Sequence, residues 1–225
     1  MILELLPELL VTAFFLLPDC AQFILRHTYR RYAMVLCQIG RSGADVTRGL
    51  LDARGLYHVG VERVFGELTD HYDPRRRVVC LSTRVYDGGT VAALAVAAHE
   101  TGHALQHDER FAPLVICNIM RPAAFIGSKF GLILGMLGIL TSLWLIFALG
   151  IILFLIAILS QIFTLPVEID ATWRALSLLR GEALLAGAEE EKGARKVLTA
   201  AAFTYAVAVL QIVFPLLRSL GRERG

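Results

Sequence analysis

A chain of 225 residues that is 56% hydrophobic and only 19% charged falls below the roughly 25% charge content of soluble globular domains, which points to residence in a membrane. A net charge of +2, with no basic run interleaved with aromatics, excludes a nucleic-acid partner. Cys20, Cys37, Cys80 and Cys117 are far apart with no C-x-x-C pair, which argues against a cysteine zinc site and a disulfide framework and favours reduced thiols.

Residues 1–25 are apolar but carry Glu4, Glu8 and Asp19 and lack a basic start, so they read as an N-terminal membrane anchor and not as a cleavable signal peptide. The polar stretch 26–121 follows as the expected catalytic domain. Ser42-Gly-Ala-Asp45 has the form of a capping box opening a helix with Val46, Leu50 and Leu51 on one face, and Gly55 is placed to end it. Tyr57, Val59 and Val61 alternate with polar residues as a strand does. Glu67–Asp73 and Val78–Ser82 flank Asp73-Pro74-Arg75-Arg76, a turn chemistry that predicts a short β-hairpin. Thr90 is placed to cap an alanine-rich helix reaching Gln106.

Inside that helix stands His99-Glu100-Thr101-Gly102-His103, an H-E-x-x-H sequence. Histidines at i and i+4 project from one helix face one turn apart, the spacing two imidazoles need to share a zinc ion. Glu100 lies about 100° around the helix, within reach of a zinc-held water without being a ligand, and is the natural general base. Two core histidines with a glutamate between them would instead bury three polar groups that all demand partners. Catalytic zinc takes a third protein ligand. Glu109 stands where an extended motif would need a histidine and Gln106 where it would need a glycine, so that variant is excluded. His107, about 12 Å along a straight helix from His99, is too far away to share the ion and reads as structural or as a support to a ligand.

From Gly131 to Val167 there is no charge. One straight helix of that length would reach about 55 Å at 1.5 Å per residue, against a bilayer core of about 30 Å. Residues 122–166 are therefore expected to form a transmembrane helical hairpin, starting after Pro122, breaking around Thr141, Ser142 and Trp144, and ending near Pro166. Polar sequence resumes over 167–196 with Glu168 and Asp170, and 197–225 holds a further apolar helix and tail. A hairpin returns the chain to its starting side, so Glu168 is the candidate third ligand; the alternative is ordinary acidic charge at a helix N-terminus. Arg26, Arg30, Arg31, Arg121, Lys129, Arg174 and Arg180 put positive charge on the catalytic side, which the positive-inside rule makes cytoplasmic. The localisation expected is an integral protein of the plasma (inner) membrane.

Leu68-Thr-Asp-His-Tyr-Asp-Pro74, Ala97-Ala-His-Glu-Thr-Gly-His-Ala-Leu-Gln-His107 and Leu165-Pro-Val-Glu-Ile-Asp-Ala171, in this order between hydrophobic helices, resemble the YugP-like family of neutral zinc metallopeptidases. The resemblance spans about residues 26–210. It implies Zn2+ as cofactor, His99, His103 and Glu168 as metal ligands, Glu100 as the catalytic residue, and protein or peptide substrates cleaved by a zinc-activated water. The expected fold is mainly α, an integral membrane helical bundle with a small zincin-like metallopeptidase domain containing the hairpin. In related peptidases with E-x-x-x-D at the third ligand, the aspartate position falls here on Thr172, with Asp170 two residues earlier. The competing function is a non-catalytic zinc-binding membrane scaffold; a transporter is disfavoured because the histidines sit in the polar domain.

Overall fold

Helix α1 (Ile2–Tyr32) opens the chain. The computed structural model describes residues 2–222, with side-chain surroundings for 14–215. About half of the anchor expected over residues 1–25 falls outside the residues whose side chains are described. The chain divides into two compact units, one of Met1–Glu109 and Glu168–Val207, the other of Arg110–Val167 and Ala208–Gly225.

In the first unit, Ser42 caps α2 (Gly43–Ala53) with the full reciprocal box to Asp45, and Gly55 leaves the helix at φ 75°, a conformation that favours glycine. Val46, Leu50 and Leu51 are buried on one face. The strand expected from Tyr57 begins later, at β1 (Gly60–Val64). The reason is Arg48, whose guanidinium donates to the carbonyls of Leu56 and Val59 at 3.0 and 2.6 Å and holds those residues in a turn. The hairpin forms from β2 (His71–Asp73) and β3 (Val78–Ser82), antiparallel, with Tyr72 opposite Val79. Asp73 accepts the backbone N–H groups of Arg75 and Arg76 at 2.9 and 3.2 Å, the mechanism by which such a turn is set. β1 adds parallel to the other edge of β3, giving the order β1-β3-β2. Helices α3 (Thr83–Tyr86) and α4 (Val91–Asp108) follow, α4 capped by Thr90, whose hydroxyl accepts from the Ala93 N–H. Nearly every residue of the first half of α4 is buried, in one core with Leu50, Leu81, Leu179 and Leu198.

In the second unit, α5 (Ala112–Ile126), a π-helical turn Gly127–Gly131 and α6 (Leu132–Leu140) form one run, and after a break at Thr141–Leu143 comes α7 (Trp144–Gly181), whose residues from Glu168 on belong to the first unit. The break lies where the sequence places it. The outer limits differ: the first arm starts at Ala112 with Pro122 inside it, and α7 runs through Pro166 to Gly181. Apolar surroundings offer no water to take over broken backbone bonds, so helix persists past a proline that would end it elsewhere. A Cβ at Gly127 would collide with the Leu153 carbonyl, and one at Gly138 with the Phe147 backbone, so glycines set the close approach of the arms. Helix α8 (Gly187–Arg222) closes the chain. Among the described residues, Ala112–Leu140, Trp144–Gly181 and Gly187–Pro215 are long and apolar enough to cross a membrane.

Candidate metal centre

His99 and His103 stand on α4 and Glu168 on α7, all within the first unit. Their approach is permitted by Gly102 of the motif: a Cβ there would sit 3.0 Å from the Ala171 carbonyl oxygen and 3.4 Å from its Cα. Even an alanine Cβ would need the α7 backbone to give by a few tenths of an ångström at that level. Glu168 is interior to α7, which removes the alternative that its charge answers a helix N-terminus.

One donor atom from each of His99, His103 and Glu168 lies within 4.8 Å of the other two. His99 Nε2 is 3.2 Å from Glu168 Oε2, and His103 Nε2 is 3.8 Å from Glu168 Oε1. The imidazole rings meet edge to face with centroids 4.7 Å apart. Two histidines and one carboxylate converging in this way match the three-ligand set of catalytic zinc, with a fourth position free for water or substrate. The group can hold a metal ion.

The surroundings of His103 fit that role. Gln106 Nε2 donates to Asp170 Oδ2 at 2.8 Å, which turns its amide oxygen towards His103 Nδ1, 2.9 Å away. The amide oxygen only accepts, so Nδ1 carries the proton and Nε2 keeps its lone pair. Asp170 is held in turn by Arg174 Nε at 2.6 Å, and Arg174 reaches Glu109 at 2.8 Å. His99 Nδ1 is buried without a partner among the described residues.

Glu100, only 7% exposed, has its carboxyl pushed up to about 7 by burial, with Glu168 and Asp70 acting in the same sense and His103 and the Tyr72 N–H it accepts opposing. A carboxyl poised near neutrality can take and return a proton. Asp70 accepts the backbone N–H and hydroxyl of Ser82 at 2.6 and 3.0 Å, and burial raises its affinity for a proton. His107 is paired with the Tyr72 hydroxyl at 2.8 Å. His71 is occupied by the Thr69 carbonyl. Neither His71 nor Tyr72 lines the cavity described next. β3 is paired on both sides, so Val78–Ser82 offers no free edge, and the edges of this sheet are β1 and β2.

A cavity of about 560 Å³ holds His99, Glu100 and Glu168 together with Arg26, Asp70 and Tyr205. Tyr205, on α8, hydrogen-bonds Glu168. Sequence reasoning missed it because a lone tyrosine in an apolar segment belongs to no motif.

A family described as "Putative neutral zinc metallopeptidase" matches residues 8–223. The chain is 45% identical over 198 residues, 88% of each chain, to the "Putative membrane protease YugP" of Bacillus subtilis (strain 168). No solved structure matches.

Proposed function

The chain belongs to this neutral zinc metallopeptidase family, and on that footing we propose that it is a membrane-bound endopeptidase in which His99, His103 and Glu168 hold zinc and Glu100 is the general base. The observation that carries this reading is the convergence of the three donor atoms within 4.8 Å, with the buried Glu100 on the same cavity. Zinc, when bound, lowers the pKa of a water it holds and polarises the scissile carbonyl. Glu100 accepts the proton that the water gives up as its oxygen bonds to the carbonyl carbon, and passes it to the amine as the C–N bond breaks. The Tyr72 N–H fixes the Glu100 carboxylate, and Gln106 fixes the His103 ring. The metallopeptidase part takes up the small sheet, α4 and the third-ligand segment of α7 in a zincin-like arrangement, and it faces the cytoplasm from the plasma membrane.

Chelation tests this most simply. Detergent-purified protein should cleave a mixed peptide library, lose cleavage on treatment with a chelator, and regain it with zinc. Cleavage that survives full removal of metal would rule out the reading.

A further inference from the structure

Gln22, Leu25, Arg26, Tyr29 and Arg30 follow helical spacing down one side of α1, and all five line the cavity of the metal centre. Tyr29, 2% exposed, is locked into the core, and this fixes which way that side faces. Arg26 and Arg30, one turn apart, are among the described residues the only lysines or arginines lining the cavity.

The carboxylates that share the cavity are already engaged. Asp70 takes both donors of Ser82, and Glu67 reaches Arg84 at 3.4 Å. Glu100 accepts from the Tyr72 N–H, and Glu168 meets His99, His103 and Tyr205. The side chains of Arg26 and Arg30 make no hydrogen bond or ion pair with any described residue. Guanidinium groups present planar paired donors that match a carboxylate, and such charge-assisted bonds are about twice as strong as neutral ones.

We propose that Arg26 and Arg30 form an anion-recognising subsite, so that the peptides this centre acts on carry an acidic side chain in the stretch that fills the cavity. The proposal rests on the peptidase reading above and names its substrate class. A basic side chain set against Arg26 and Arg30 would be repelled by them, so the same pair disfavours the opposite charge at that subsite.

The test is binding, kept separate from turnover. Zinc-loaded Glu100→Gln protein in detergent is titrated with fluorescent peptides identical except for Glu or Gln at successive positions, read by anisotropy. At one or more positions the Glu peptide should bind about tenfold tighter, the size of one charge-assisted hydrogen bond. That ratio should shrink with added salt and fall towards one in Arg26→Gln/Arg30→Gln, with Arg26→Lys/Arg30→Lys intermediate. Equal binding of Glu and Gln peptides at every position, or a ratio that survives the double Gln variant, overturns the proposal. So does a double Gln variant that keeps the ratio but loses adhesion to phosphatidylglycerol vesicles, because the arginines would then serve the lipid surface. In parallel, wild type that cleaves no library member would defeat the peptidase reading, whereas cleavage of Glu and Gln members at equal rates would leave that reading intact and count against the subsite alone.

Discussion

The Nδ1 of His103 lies 2.9 Å from the amide oxygen of Gln106, whose nitrogen is committed to Asp170. Through this pairing Gln106 dictates which imidazole nitrogen is free for metal. Gln106→Ala should lower zinc affinity by about 10- to 100-fold while the helical circular dichroism stays the same. Competition with a chromophoric chelator measures it, and an unchanged affinity would remove Gln106 from the centre.

Tyr205 reaches the same centre from α8 through its bond to Glu168. Replacement by phenylalanine keeps the ring and its packing but frees the carboxylate to move. Tyr205→Phe should weaken zinc binding several-fold, within the range seen for outer partners of metal ligands. Zinc analysis after dialysis against a buffered metal solution reads the effect.

Gly102 tests the route from packing to chemistry. A valine there cannot coexist with the Ala171 carbonyl at its present distance, so α4 and α7 must part and carry Glu168 away from the histidines. Gly102→Val should cost about 1–3 kcal/mol as overpacking does and should lose zinc far more completely than Gln106→Ala. Retention of wild-type zinc content in a folded Gly102→Val protein would show that the approach of these helices does not build the centre.

Glu100 gives the metal-free protein a pH signature. Burial holds its pKa near 7 in the fold against 4.5 in a free side chain, so the fold binds its proton more tightly than the unfolded chain does. That contribution is fully present below about 4.5 and is lost as pH rises through about 7. Asp70, also raised by burial, acts in the same sense. Melting temperatures of chelator-treated protein in detergent should therefore fall between pH 5 and pH 8, and Glu100→Gln should flatten much of that slope.

Much of this was legible because short-range chemistry set it. Ser42 and Asp45 cap α2, Asp73 sets the hairpin turn, Thr90 caps α4, and the break at Thr141 falls between two apolar arms. The pairing of His99 with His103 follows from helix pitch alone, whereas the hairpin made Glu168 a candidate beside the alternative of helix-terminus charge, and the family resemblance named it. What sequence could not show was non-local. The parallel addition of β1 to β3 depends on a crossover with no signature of its own, and Arg48 delays β1 through bonds to residues 8 and 11 positions away. Prolines 122 and 166 read as boundaries because they usually break helices in water, yet both lie inside helices that are largely apolar. Gln106 counted in the sequence only as the residue that spoils an extended motif; its bond to His103 appears once α4 and α7 are in place.

The central claim, that His99, His103 and Glu168 hold zinc on which Glu100 acts, is tested most directly by measuring zinc content and peptide cleavage side by side in wild type, Glu100→Gln and Glu168→Ala. Wild type should contain zinc and cleave, Glu100→Gln should keep zinc and lose cleavage, and Glu168→Ala should lose both. Wild type that binds zinc while Glu100→Gln changes nothing would point to a zinc-binding scaffold, and wild type without zinc would contradict the claim outright.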